Sequence, residues 1–248
     1  MNRPYTAAVA AVLLALFCAD TSLAATAEPA PTDPISVILS GGVTAIVIMV
    51  VLVLVSIAAV ALCVEHLLTI RQSELLPAGL ADEVRRLLTS GDAAAANKAC
   101  QAESSTLGAV VSSGLVESQY GWAAVEQAMQ EKLDEESARL MRRIEYLSVI
   151  GNIAPMIGLL GTVFGMIFAF QEVANTQGAA RAGELAGGIY QALVTTVGGL
   201  IVAIPSLAAF AVFRNRVDGL IAETACQARH ATTPLKQVLS KRTAKGPP

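Results

Sequence analysis

The fold of this chain is decided by a stretch without a single charged residue, YLSVIGNIAPMIGLLGTVFGMIFAFQ, which occupies residues 146–171. Two further charge-free runs cover residues 34–64 and 185–213. A run of more than about 18 apolar residues is long enough to cross a bilayer as a helix. The sequence therefore predicts an all-α integral membrane protein with three transmembrane helices at these positions.

The composition of the whole chain is also typical of a membrane protein. Of its 248 residues, 54% are hydrophobic and 15% are charged, whereas soluble domains have about 25% charged residues. The four cysteines are scattered, with no C-x-x-C pair, so neither a metal site nor a disulfide framework is indicated. We predict no metal and no cofactor.

The first 24 residues have the pattern of a cleaved signal peptide. Arg3 precedes an apolar run, and Ser22-Leu23-Ala24 fits a signal-peptidase site. The charge-free run from Pro4 to Ala19 has 16 residues, fewer than the roughly 20 that a spanning helix needs. We therefore favour cleavage of residues 1–24 over a fourth spanning helix, and we expect residues 25–33 to form a periplasmic spacer.

The distribution of Lys and Arg predicts the orientation of the chain. There are none in 25–33, eight in 65–145, one in 172–184 and seven in 214–248. Positive charge collects on the cytoplasmic side of membrane proteins. We therefore expect a bacterial inner-membrane protein with a periplasmic N-terminus, a cytoplasmic helical segment at 65–145, a periplasmic loop at 172–184, and a cytoplasmic helix and tail at 214–248.

The segment 65–145 contains four glycines that we interpret as breaks between helices, Gly79, Gly91, Gly108 and Gly121. Ser90-Gly91-Asp92 predicts a turn and a helix cap before an alanine-rich helix. No strand pattern is present in this segment.

The sequence from Trp122 to Ile150 contains neither Gly nor Pro, which predicts one helix that continues into the second span. Val125, Met129 and Leu133 fall on one face of it. Glu135 and Arg139 have the spacing of an i,i+4 ion pair. The third span is expected to continue as a helix past Arg214 and Arg216, and the tail after Thr233 is predicted to be disordered.

Small residues dominate two stretches of the second and third spans, APMIGLLGTVFGM (residues 154–166) and GGIYQALVTTVGGLIVAIP (residues 187–205). In lipid, small residues let helix backbones approach closely. We assign helix packing to five glycines and a bend to two prolines: Gly158, Gly161, Gly165, Gly198 and Gly199; Pro155 and Pro205.

Several polar side chains lie in the same two spans: Thr162, Gln191, Thr195 and Thr196. A single threonine can satisfy its hydroxyl within its own helix. A glutamine amide is harder to leave facing lipid, because it has several hydrogen-bonding positions. The cluster predicts a stripe that faces protein or a pore, and these four residues are our candidates for an ion pathway.

These two motifs resemble the signature spans of the MotA/TolQ/ExbB proton-channel family, most closely its ExbB and TolQ branch. The similarity extends to the three-span plan, the large segment after span one, and nearly all of spans two and three. It implies that Thr162 and Thr196 are pore threonines. It also implies a homopentamer around a dimeric, single-span ExbD- or TolR-like partner. Proton flow past an aspartate of the partner would energise a TonB- or TolA-like protein.

One position departs from the pattern of that family. Gln191 stands where ExbB and TolQ proteins usually have glutamate, so the charge-free runs 146–171 and 185–213 contain no ionisable acid, base or histidine. A proton relay normally uses an intramembrane Asp, Glu or His. A titratable group would therefore have to come from the partner.

Three functional interpretations remain open from the sequence. The first is an ion-conducting motor subunit, for which the sequence does not distinguish H⁺ from Na⁺. The second is a non-conducting membrane scaffold of an envelope, secretion or gliding complex. A flagellar stator is the third, although stators usually have four spans. No phosphate loop, catalytic constellation or basic aromatic surface is present, so we expect neither an enzyme nor a nucleic-acid partner, whereas membrane lipids are expected to contact the chain.

Overall fold

The computed structural model of the protein describes residues 42–70, 75–103, 105–176 and 182–244. Every regular element in these ranges is a helix. The predicted signal peptide, the spacer and the start of the first span lie outside the described residues. The elements are α1 (Gly42–Thr69), α2 (Leu80–Thr89), α3 (Ala93–Ala102), α4 (Thr106–Val116), a short 3-10 helix (Glu117–Tyr120), α5 (Trp122–Asn175) and α6 (Ala182–Ala244).

Three of these helices, α1, α5 and α6, are long and apolar enough to cross a membrane. The prediction of a helical protein with three such helices is confirmed. Large apolar side chains point outward from all three, for example Leu54, Met156, which is 67% exposed, and Ile204. Outward-facing apolar side chains suit a lipid environment or a contact with other membrane helices.

The helices α5 and α6 are much longer than a membrane crossing requires. α5 has 54 residues and runs without interruption from Trp122 past Pro155, which confirms the predicted continuity from Trp122 through Ile150. α6 has 63 residues and includes Arg214 and Arg216. Both helices therefore extend the charge-free runs by several turns.

The prediction of disorder after Thr233 is wrong, because α6 continues to Ala244. One contact and one buried side chain favour the longer helix. The Lys236 ammonium lies 5.2 Å from the centre of the Trp122 ring, a cation–π distance, and the Leu239 side chain is buried. The basic composition of this segment did not predict the contact of Lys236 with Trp122 of α5.

The chain divides into two compact units. Within the described residues, the first contains 42–63 and 145–211, and the second contains 64–144 and 212–244. The first unit holds most of the three charge-free runs. The second holds α2, α3, α4 and most of the charged residues of α5 and α6.

Three of the four predicted glycine breaks in the second unit are confirmed. Gly79, Gly91 and Gly121 have φ angles of 91°, 84° and 99°, a left-handed region that glycine adopts without strain. Asp92 caps α3 as predicted, since its side chain accepts a hydrogen bond from the Ala95 backbone N–H at 2.9 Å.

The fourth predicted break is wrong, because Gly108 lies inside α4. A Cβ atom at this position would lie 2.5 Å from the Cys100 carbonyl oxygen of α3. The absence of a side chain therefore allows α3 and α4 to approach, and it does not end a helix.

The predicted apolar face of α5 is confirmed, since Val125, Met129 and Leu133 are all buried. The predicted ion pair between Glu135 and Arg139 is not the one that forms. Glu135 lies 2.8 Å from the Lys132 ammonium, and Arg139 lies 3.6 Å from Glu136 instead. An i,i+3 pair therefore replaces the expected i,i+4 pair in each case.

Candidate functional site

The parts of α5 and α6 that belong to the first unit approach closely enough for their backbones to touch. A Cβ atom on Gly158 would lie 2.8 Å from the Thr195 carbonyl oxygen and 3.0 Å from the Thr196 Cα. A Cβ atom on Gly199 would lie 2.6 Å from the Ala154 carbonyl oxygen. Backbone atoms cannot rotate away as a side chain can, so this separation requires glycine at both positions.

The same contact continues toward both ends of the two spans. A Cβ atom on Gly161 would lie 2.7 Å from the Thr195 Cβ, and one on Gly165 would lie 2.7 Å from the Ala192 Cβ. Glycines outside our predicted set take part as well: Gly151 lies against Leu207, and Gly188 lies against Ala169.

Gly198 differs from these glycines because it faces α1. A Cβ atom there would lie 3.6 Å from the Leu52 Cδ1, which is an ordinary contact. A small buried cluster next to this position, Ala154, Val202 and Ala203, is packed by Val55 of α1. Gly198 therefore does not contribute to the backbone contact between α5 and α6.

Thr195 lies inside the contact between α5 and α6. Its side chain is 3% exposed. Its hydroxyl donates to the Ala192 carbonyl at 2.7 Å and lies 3.3 Å from the Gly158 carbonyl. Because one carbonyl is in its own helix and the other is across the interface, the hydroxyl is satisfied without a ligand.

Thr162 and Thr196 are less buried than Thr195. The Thr196 hydroxyl donates to the Gly158 carbonyl at 3.1 Å. The Thr162 hydroxyl donates to the Leu159 carbonyl of its own helix at 2.7 Å. Thr195, Thr196 and the Gly158 carbonyl therefore form a polar cluster between α5 and α6, whereas the Thr162 hydroxyl bonds within α5.

The remaining predicted residues lie on the same helices. Gln191 is half-buried one turn before Thr195. Pro155 and Pro205 each lie inside an uninterrupted helix. Within the charge-free parts of α5 and α6 no side chain carries a charge, so the hydroxyl, amide and carbonyl groups are the only polar groups that these segments offer.

The Gly158 carbonyl is the part of this cluster that sequence reasoning missed. It receives the Thr196 hydroxyl and lies within hydrogen-bonding distance of the Thr195 hydroxyl. A backbone acceptor has no signature in the sequence, although the small residues around it indicated a close contact. Among the described residues, no group of three or more His, Cys, Asp or Glu side chains is placed to hold a metal ion.

Comparison with known proteins identifies relatives of this chain by sequence. The profile of the MotA/TolQ/ExbB proton channel family matches residues 98–225, which is more than half of the chain. The biopolymer transport protein ExbB of Xanthomonas campestris pv. campestris (strain B100) is 36% identical over 99 residues, or 40% of this chain and 39% of that protein. The Tol-Pal system protein TolQ of Pseudomonas aeruginosa is 36% identical over 97 residues, or 39% of this chain and 42% of that protein.

A solved structure of MotAB from C. jejuni has a similar fold. Its matching chain superposes with a TM-score of 0.55 and 18% sequence identity, over 91% of this chain and 89% of that chain. An identity this low supports the fold alone. The chain therefore matches about two fifths of the length of the ExbB and TolQ relatives by sequence, and nearly the whole chain matches by fold.

Proposed function

Because this chain belongs to the MotA/TolQ/ExbB proton channel family, we propose that it is the multi-span subunit of a motor driven by the proton motive force. In this proposal it is an ExbB- or TolQ-like protein of the inner membrane. Its motor energises either TonB-like import of nutrients and biopolymers or TolA-like envelope maintenance.

One observation carries the proposal: the hydroxyls of Thr195 and Thr196 meet at the Gly158 carbonyl, and Thr162 lies one turn after Gly158 in the same helix. These groups lie in the charge-free parts of α5 and α6. Thr162 and Thr196 also occupy the positions to which the family resemblance assigns pore threonines. An ion-conducting subunit needs polar groups at this depth, whereas a simple anchor does not.

The proposed assembly supplies the carboxylic acid that the charge-free runs of α5 and α6 lack. We propose that five copies surround the single-span helices of an ExbD- or TolR-like dimer, with α5 and α6 facing the pore and the N-terminus in the periplasm. The partner's aspartate then carries the proton. This assignment is supported by the absence of Asp, Glu, His, Lys and Arg from 146–171 and 185–213.

The experiment is to co-express the chain with its candidate single-span partner, purify the complex, and measure ion flux into liposomes under a membrane potential. The matched control is the same complex with the partner's Asp changed to Asn. Flux that requires both the partner and its Asp is the expected result. A complex that assembles but does not conduct would contradict the proposal.

Gln191 supports a second candidate function, a non-conducting scaffold, because it replaces the acid that the family usually has. The substitution Gln191→Glu tests which interpretation holds. In a motor of the family type, flux should be retained or increased, since glutamate is the usual residue at this position. A scaffold would show no flux with either residue. Loss of flux in a conducting complex would instead mean that the pathway has been rebuilt around the amide.

A further inference from the structure

A hydrogen bond between two side chains joins α2 to the C-terminal part of α6 in the second unit. The Nη1 atom of the Arg85 guanidinium donates to the Nε2 atom of the His230 ring, which lies 145 positions further along the sequence. A guanidinium has only N–H donors and stays charged in proteins. His230 must therefore be the acceptor, so its Nε2 atom carries a lone pair and no hydrogen.

We propose that this hydrogen bond is a pH-sensitive latch, which ties α2 to α6 while His230 is neutral and opens when His230 is protonated. In a neutral imidazole one ring nitrogen donates and the other accepts, whereas both nitrogens of an imidazolium donate. Protonation therefore removes the acceptor that Arg85 needs, and it places a second positive charge beside the guanidinium. Because imidazole titrates between about pH 5 and pH 8, the latch is closed at the alkaline end of this range and opens as the pH falls.

The short helix α2 depends on contacts of this kind. It has ten residues and lies between Gly79 and Gly91, whose φ angles are 91° and 84°. An isolated helix of this length is marginal in water. Its buried side chains, Leu80, Val84 and Leu88, hold it in the unit at any pH. Opening of the latch should therefore increase local opening of α2 and leave the rest of the unit folded.

The charged groups of α2 leave Arg85 as the one that responds to His230. The other charged side chains of this helix are Asp82, Glu83 and Arg86. In the part of the chain that the structure describes, no carboxylate oxygen lies within 4.0 Å of a ring nitrogen of His230. An imidazolium at this position would therefore meet the Arg85 charge without an acid at close range to compensate it.

The charged groups of α5 and α6 near this contact have other partners. Glu126 of α5 accepts a hydrogen bond from the Trp122 indole N–H at 3.0 Å. Arg229, the neighbour of His230, donates from its Nε atom to a backbone carbonyl of its own helix at 3.3 Å. The next charged side chains along α6 are Glu223 and Lys236, which contact Gln227 and Trp122.

The role of the latch in the cell rests on the proposed function. In the proposed orientation the second unit lies in the cytoplasm, which is the compartment that protons enter while the motor runs. Local acidification during rapid proton entry would open the latch and loosen α2. The latch would then couple the state of the cytoplasmic helices to the proton flux.

The test is hydrogen exchange of the purified full-length chain in detergent, measured by mass spectrometry at about pH 5 and about pH 8, the two ends of the imidazole titration. Each rate is divided by the rate of an unstructured peptide at the same pH, which gives a protection factor. We expect the protection of α2 to fall by about two- to tenfold on acidification, the contribution of one hydrogen bond. The helix α4 of the same unit is the internal reference, and its protection should not change.

Three variants assign the pH response to the latch. Arg85→Ala removes the donor, so α2 should have the low protection of the acidified wild type at both pH values. His230→Gln retains a side-chain acceptor that does not titrate, so α2 should stay protected at both. Arg86→Ala is the matched control, because Arg86 is an exposed neighbour on the same helix, and this variant should respond to pH like the wild type.

Two results would overturn the inference. One is a wild-type chain in which the protection of α2 does not change relative to α4. The other is a full pH response in Arg85→Ala, because that response would come from a different titrating group. Neither result bears on the ion flux of the complex, so the proposed function would stand. A complex that does not conduct would remove only the role of the latch in the cell, since the exchange measurement requires no flux.

Discussion

The two compact units hold their helices together in different ways, and two glycines make the difference visible. In the first unit, a Cβ atom on Gly158 would meet the backbone of α6 at 2.8 Å. In the second unit, a Cβ atom on Gly114 of α4 would meet the side chain of Met129 on α5 at 2.5 Å. One glycine brings two backbones together, and the other makes room for a large side chain.

The environment of each unit explains this difference. In water, burial of large apolar side chains between helices is favourable because it removes apolar surface from the solvent. The second unit buries side chains such as Leu107, Val110 and Ile144. In lipid that driving force is absent, and helices associate through close packing and hydrogen bonds. Most of the close approaches between α5 and α6 in the first unit involve glycine, alanine and threonine, which suit association of this kind.

The largest effect that this comparison predicts is in the second unit. Leu107 is 1% exposed, so Leu107→Ala removes a fully buried side chain and leaves a cavity. We expect a loss of about 2–5 kcal/mol in the free energy of unfolding, measured by denaturant titration of the purified protein in detergent. The control is Val116→Ala in the same helix, because Val116 is 58% exposed. Equal losses in the two variants would contradict the comparison.

A smaller but more specific effect is expected at the contact between α5 and α6. Gly158→Ala places a methyl group against backbone atoms of Thr195 and Thr196, and overpacking of this kind costs about 1–3 kcal/mol. The measurement is the unfolding midpoint in detergent, together with the ion flux of the complex. Gly187→Ala is the control, since nothing lies within 4 Å of a Cβ atom at Gly187.

The substitution Gly114→Ala tests whether a contact with a side chain tolerates an added methyl group better than a contact with the backbone. Its methyl group would meet the flexible side chain of Met129, which can adopt another rotamer. We therefore expect Gly114→Ala to be less destabilising than Gly158→Ala, although the nearest distance at Gly114 is the shorter of the two. The reverse order would mean that the identity of the contacted atom matters less than its distance.

Much of the fold could be predicted from the sequence, because its signals are strong and local. Three charge-free runs, each long enough to cross a bilayer as a helix, indicated the three long helices. Glycine residues indicated the breaks at Gly79, Gly91 and Gly121, and the spacing of Val125, Met129 and Leu133 indicated a buried face.

The errors arise where a local pattern has two physical meanings. A glycine can mark either the end of a helix or a close approach between two helices. Gly108 marks a close approach, between α3 and α4. A basic tail with a proline indicates disorder, yet Lys236 contacts Trp122, which is distant in the sequence, and the Leu239 side chain is buried.

The candidate site was predictable in its residues and not in its hydrogen bonds. The sequence indicated that Thr162, Thr195 and Thr196 matter together, because several polar groups in a span need partners. It did not indicate that the hydroxyls of Thr195 and Thr196 both reach the carbonyl of Gly158. That arrangement depends on the separation of the two helices, which no single residue encodes.

The smallest expected effect concerns an ion pair on α5 in the second unit, a kind of contact that the charge-free runs cannot form. The Lys132 ammonium, 2.8 Å from Glu135, lowers the pKa of that carboxyl below its ordinary 4.5 by hydrogen bonding and charge attraction. A lowered pKa means that the pair stabilises the fold above the ordinary value and that this contribution is lost as the pH falls through the folded-state value. Wild type should therefore unfold at a slightly higher temperature than Glu135→Gln at neutral pH.

That small difference should disappear on acidification, and it should also disappear at neutral pH in about 1 M salt, where charges are screened within roughly 3 Å. The control is Glu131→Gln, because the Glu131 carboxylate accepts a hydrogen bond from Gln127 at 2.9 Å and not from a cation. A difference between wild type and Glu135→Gln that persists in acid would mean that the side chain stabilises α5 by packing or helix propensity. The surface of the second unit would then depend on charge as little as the contact between α5 and α6 in the first unit does.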